Sequence, residues 1–126
     1  MNQKKILIEK ARSAIKNSYS PYSNLKVAAA LLTDDGTIFT GVNVENASIG
    51  LSICAERSSM VSAVSAGYKS FKSIAIASTR VEPISPCGAC RQFMAEFGNF
   101  EVILVGKEKN IITTVYELLP MRFEME

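Results

Sequence analysis

Leu25-Lys26-Val27-Ala28-Ala29-Ala30-Leu31-Leu32-Thr33, then Asp34-Asp35-Gly36, then Thr37-Ile38-Phe39-Thr40-Gly41-Val42-Asn43, is the stretch on which the fold turns. Two runs rich in Val, Ile, Leu and Ala flank an Asp-Asp-Gly turn signal, so together they read as a β-hairpin. The first run is nearly all apolar, which suits a strand covered on both faces inside a sheet.

Before the hairpin, residues 2–18 set Ile6, Leu7, Ala11, Ala14 and Ile15 at helical spacing among Lys, Arg and Glu, an amphipathic helix that Ser20-Pro21-Tyr22-Ser23-Asn24 stops. After it, Cys54 to Gly67 repeats Ala, Met and Val at helical spacing, and Lys72 to Ser78 reads as a buried strand. A loop with Pro83 and Pro86 leads to a helix that starts near Cys87, carries Phe93, Met94 and Phe97 on one face and ends around Gly98. Phe100 to Val105 and Ile111 to Thr114 read as strands, and Tyr116 to Leu119 as a last helical turn before Pro120. Helices alternate with buried strands and no repeat or linker interrupts them. The expectation is therefore one three-layer α/β domain over residues 1–126.

With 126 residues, 48% hydrophobic and 21% charged, the chain can bury a real core and is neither fibrous nor disordered. Apolar runs such as Val27 to Leu32 are too short to cross a bilayer, and the N-terminus is polar and charged where a signal peptide is apolar, so the expected address is the cytoplasm. The 14 basic and 12 acidic residues are scattered, without the basic stripe that tracks a phosphate backbone, so no nucleic-acid partner is expected. Three cysteines are too few and too odd a count for a disulfide framework. Metal binding or simple burial remains.

Cys87 and Cys90 form a Cys-x-x-Cys pair at a predicted helix start, and Cys54 opens another helix. Unpaired N–H groups and the positive end of the helix dipole favour a thiolate there. Alone, such a pair also fits a redox site or buried packing. The chain has no histidine and no fourth cysteine, so a closed Cys/His zinc site cannot be assembled within one chain, and the fourth ligand is a carboxylate or water. Three protein ligands and an open position belong to catalytic zinc, one ion per subunit. Glu56, two residues after Cys54, can reach that position, although a Glu in a first helical turn also serves as a cap. Three thiolates outweigh the metal's charge, and Arg57 is the nearest cation to compensate.

Taken together, Cys54-Ala55-Glu56-Arg57, Ser85-Pro86-Cys87-Gly88-Ala89-Cys90-Arg91-Gln92, Tyr19-Ser20-Pro21-Tyr22-Ser23, Asn43-Val44-Glu45-Asn46-Ala47 and Leu118-Leu119-Pro120 resemble the small homotetrameric zinc-dependent cytidine deaminases. The resemblance implies an α/β/α sandwich on a mixed five-stranded sheet, with both zinc motifs at the N-termini of adjacent helices. It implies zinc held by Cys54, Cys87 and Cys90, and Glu56 moving protons in the hydrolysis of cytidine and deoxycytidine to uridine and deoxyuridine, a step of pyrimidine salvage that releases ammonia. It further implies Asn43 and Glu45 at the ribose hydroxyls, Ala55 and Leu25 at the substrate, and Phe123 entering a neighbouring subunit's site. Leu25 stands where many relatives place a Phe, and Ile49 where many carry a Tyr. If the second strand runs on to its end, Asn43 and Glu45 share one face; the plainer alternative is a polar strand end leading into a loop. A blasticidin S deaminase is the runner-up reading, and a zinc-stabilised binding module the reading from another class.

Overall fold

The computed structural model describes residues 2–125. The expected hairpin forms: β1 (Val27–Thr33) pairs antiparallel with β2 (Ile38–Val42), and every residue of β1 is buried. At the turn, Gly36 has φ +92°, a left-handed conformation that a residue with a Cβ rarely adopts. The Asp35 carboxylate closes the turn by accepting from the Thr33 hydroxyl (2.6 Å), the Thr37 hydroxyl (2.8 Å) and the Thr37 N–H (3.1 Å).

Helix α1 (Gln3–Ala14) begins at Asn2, whose side chain accepts from the Lys4 N–H. Helix α2 spans Ala55–Ser65, strand β3 Phe71–Ser78, helix α3 Gly88–Ala95, strand β4 Glu101–Val105, strand β5 Asn110–Thr114 and the short helix α4 Val115–Leu118. These elements agree with the sequence reading to within a few residues at their ends. A 3₁₀ turn at Ile49–Leu51 is additional.

The sheet order is β2-β1-β3-β4-β5, antiparallel except for the parallel β3–β4 pair, so the mixed five-stranded sheet is borne out. Side chains alternate between its faces. Ala29, Leu31, Ile74, Ile76, Val102 and Leu104 pack toward α2, α3 and α4, with Met60, Ala63 and Met94 opposite. Ala30, Leu32, Ala75, Ala77, Ile103 and Val105 pack toward Leu7 and Ala11 of α1. These two apolar layers on either side of the sheet are the expected α/β/α sandwich.

Strand direction decides where a site can form. Because β1 is antiparallel to both β2 and β3, those two strands run the same way, and the ends of both lie beside the start of β1, where Ala28 faces Val42 and Val27 faces Ser78. The connections through α2 and α3 therefore leave from one end of the sheet and cross the same face. Their N-termini arrive as neighbours. One expected detail differs: β2 stops at Val42, and beyond it only Val44 pairs, with Tyr19 and Ile53 as isolated bridges.

Helix α2 lies directly on Gly41. A Cβ at that position would stand 2.2 Å from the Ser59 nitrogen and 2.8 Å from the Ala55 oxygen, both backbone atoms that have no room to retreat. Gly41→Ala is therefore expected to cost about 1–3 kcal/mol or more, measured as a lowered urea midpoint. A second test concerns Asp35, whose hydrogen bonds from Thr33 and Thr37 hold its pKa at about 2, below the ordinary 3.8. A depressed carboxylate pKa stabilises the fold above the ordinary value and ceases to do so as pH falls through the folded value. Asp35→Ala should thus lower the melting temperature at neutral pH, and the difference should close between about pH 4 and pH 2.

Candidate metal and active site

Cys54 is the N-cap of α2 and Cys87 the N-cap of α3, both with extended backbone (φ −77°, ψ 155° and φ −68°, ψ 169°). Their carbonyls accept the first helical bonds from Ser58 and Arg91, whereas neither side chain caps its helix. Both sulfurs are thus free to point elsewhere. Cys90, in the first turn of α3, is fully buried, and all three Sγ atoms lie within 4.8 Å of one another. Tetrahedral ligation at a Zn–S distance of about 2.3 Å needs sulfurs about 3.8 Å apart, so the donor set fits a divalent metal with little movement.

The electrostatics agree. Cys54 is pulled down to about 5, first by a hydrogen bond from the Cys90 thiol and then by Arg57, while Cys90, giving up that proton least readily, is pushed up. Arg57 reaches Cys54 Sγ through Nη2 at 3.8 Å and the Ser52 carbonyl at 3.3 Å. Its Nε is buried without a hydrogen-bond partner among the described residues. Glu56 is 5% exposed, and burial, with repulsion from Cys54 adding to it, raises its pKa to about 7. A carboxyl beside a thiol cluster that can be charged or neutral near pH 7 suits proton transfer.

Residues 1–107 match the family described as the cytidine and deoxycytidylate deaminase zinc-binding region. The chain belongs to this deaminase family. A probable cytidine deaminase of Dictyostelium discoideum is 49% identical over 100% of this chain and 88% of that protein, and a cytidine deaminase of Sporosarcina psychrophila is 46% identical over 95% and 90%. The crystal structure of cytidine deaminase from Burkholderia pseudomallei superposes with a TM-score of 0.91 at 48% identity, covering 94% of this chain and 98% of that one. The family's metal is zinc, and the three-cysteine cluster is where this deaminase can hold it.

The remaining candidates differ in setting. Ala55 is fully buried between Cys54 and Glu56, and Leu25 is half-buried against the core layer below α2. Asn43 is half-buried and braced by its neighbours: its Nδ2 donates to the Leu25 carbonyl (2.8 Å), and its Oδ1 accepts from the Val27 N–H (3.0 Å) and the Ser18 hydroxyl. Glu45 accepts from the turn at Tyr22 and Ser23. Neither side chain projects from a regular strand face. Phe123 is 70% exposed, and its carbonyl accepts from Gln92 Nε2.

Sequence reasoning gave no role to Arg91, although it lies inside the quoted motif. Its guanidinium binds the Pro86 carbonyl (2.8 Å), the Leu118 carbonyl (2.7 Å) and the Ser85 hydroxyl (2.6 Å), fixing the segment that delivers Cys87. Its position four residues after Cys87 was the available signal, since that spacing returns a side chain to the helix start. The zinc assignment predicts one equivalent of zinc per chain by elemental analysis. Cys90→Ser, which alters the buried ligand, should reduce that content severely, and chelation should lower the melting temperature of the wild type.

Proposed function

We propose that this chain catalyses the hydrolytic deamination of cytidine and deoxycytidine to uridine and deoxyuridine, releasing ammonia, as a step of pyrimidine salvage. The observation that carries the reading is the buried Glu56 carboxyl, held near neutral pKa beside the three thiols. Zinc bound by Cys54, Cys87 and Cys90 would supply Lewis-acid activation of water. Glu56 takes a proton from the attacking water and passes it to the ring nitrogen next to the amino-bearing carbon, and then assists the amine as it leaves. Each transfer needs the carboxyl once charged and once neutral, which its burial allows. Arg57 offsets the negative charge of the ligand set.

In the same reading Ala55 and Leu25 meet the base, and Asn43 and Glu45 meet the sugar hydroxyls. A carboxylate at the sugar repels a 5′-phosphate, so the substrate is the free nucleoside. Residues 1–126 act as one domain, in the cytoplasm, where thiols stay reduced for the metal; no described helix is long and apolar enough to cross a membrane. The chain assembles as a homotetramer in which Phe123 completes a neighbour's site. Supporting this are Ile49, Leu51, Ile53 and Val44, 85%, 67%, 45% and 42% exposed along one loop region, an apolar surface that a single chain leaves to water.

The test compares wild type with Glu56→Gln on cytidine, deoxycytidine, cytidine monophosphate and blasticidin S, following loss of cytosine absorbance together with ammonia, with sedimentation velocity on the same samples. Only the two nucleosides should react, and the variant should keep its zinc while losing at least about 10²–10⁴-fold in kcat. Turnover of the phosphate or of blasticidin S instead would overturn the sugar assignment. A folded, zinc-loaded protein inert on all four would overturn the activity.

A further inference from the structure

The turn that precedes β1 does more than end the first helix. Glu45 Oε1 accepts from the Tyr22 N–H (2.9 Å) and the Ser23 N–H (3.2 Å), and Glu45 Oε2 accepts from the Ser23 hydroxyl. The same Ser23 Oγ accepts the Leu25 N–H at 3.1 Å. A serine hydroxyl has a single proton to give. With Leu25 donating to the oxygen, that proton is directed at Glu45, so the hydroxyl has one orientation rather than three.

The two backbone N–H groups hold Oε1 and the Ser23 hydroxyl holds Oε2, so each oxygen has its own partner. Together they set the last torsion of the side chain, which is otherwise broad. The Ser23 hydroxyl also ties Glu45 to the backbone of Leu25, so one side chain links the residue assigned to the sugar with a residue assigned to the base. Asn24, between them, has φ +61°, and its N–H is bound to the Ser20 carbonyl at 3.0 Å, so the turn presenting Ser23 is itself held in shape. Tyr22, Ser23 and Glu45 share the wall of one open concavity with Asn46, Ile49 and Ser52.

We propose that Ser23 is the positioning residue of the sugar subsite, its hydroxyl orienting the Glu45 carboxylate toward the nucleoside. The inference rests on the reading that Glu45 meets the sugar. The Ser23 hydroxyl is also the largest influence lowering the Glu45 pKa below its ordinary value, in keeping with a hydroxyl that favours the charged carboxylate. Since Ser23 touches no reacting atom, its loss should weaken binding and leave the chemical step alone.

The experiment measures kcat and KM for cytidine in the zinc-loaded wild type, Ser23→Ala, Ser23→Thr, Glu45→Gln and the Ser23→Ala/Glu45→Gln double variant, with zinc content and melting temperature for each. Ser23→Ala should raise KM about 10-fold or more, the scale of one lost hydrogen bond to a charged group, with kcat within about twofold of wild type. Ser23→Thr, which keeps the hydroxyl, should restore KM, and in the Glu45→Gln background Ser23→Ala should add little. An unchanged KM in Ser23→Ala beside a raised KM in Glu45→Gln would overturn the role of Ser23 and leave the reading of Glu45 standing. Wild-type KM in both single variants would remove Glu45 from the sugar subsite and Ser23 with it. Additive effects of the two substitutions, or a KM change that follows a loss of melting temperature, would mark Ser23 as part of the fold only and overturn the proposal.

Discussion

Close approach between α2 and Gly41 is the constraint from which the site's geometry follows. Side chains normally fill the space between a helix and the sheet it covers; here a missing Cβ lets helix backbone rest on strand backbone. That contact sets the height of the first turn of α2, and with it Cys54 and Glu56, relative to the end of β2. Topology supplies the second coordinate, since the crossovers after β2 and β3 begin at the same end of the sheet and put a second helix N-terminus beside the first. Ligand crevices outside the carboxyl ends of like-directed strands recur in open α/β sheets for this reason.

Charge then refines what topology brings together. Three sulfurs carry more negative charge than a divalent ion cancels, and the fold answers with two helix N-termini and the Arg57 guanidinium. Glu56 is a fourth potential anion in the same small volume, and burial keeps it from ionising as readily as a surface glutamate would. The same surroundings therefore stabilise charge on the Cys54 sulfur and discourage it on Cys90 and on the carboxyl, a separation of acid strengths that lets neighbouring groups hold different protonation states.

Much of this was legible in the chain because hydrophobic period and punctuation agree. The all-apolar run at Val27–Thr33 read as an interior strand and is one, and Cys54 and Cys87 read as helix starts and occupy the N-cap positions of α2 and α3. Residues beyond Val42 were harder, because alternation along a strand says nothing once pairing ends. Asn43 gives its amide to the Leu25 carbonyl and takes the Val27 N–H, a partnership between segments that periodicity does not couple. Gly41 carried no local signal either: a glycine in a strand marks a bulge or a close approach, and only the position of α2 tells which. Ser23 sat in a stretch whose composition says turn, and a turn signal does not disclose which carboxylate its N–H groups face.

Arg91 and Gln92 sit side by side just after Cys90, and each grips a different part of the chain's end: the Leu118 carbonyl for one and the Phe123 carbonyl for the other. Arg91 also grips Pro86, immediately before Cys87. One guanidinium thus braces the Pro86 carbonyl and the Leu118 carbonyl at once, so the metal loop and the end of α4 share a support that bypasses the intervening strands. A change that displaces Leu118 therefore removes a brace from the segment that carries Cys87, however distant the two are along the sequence.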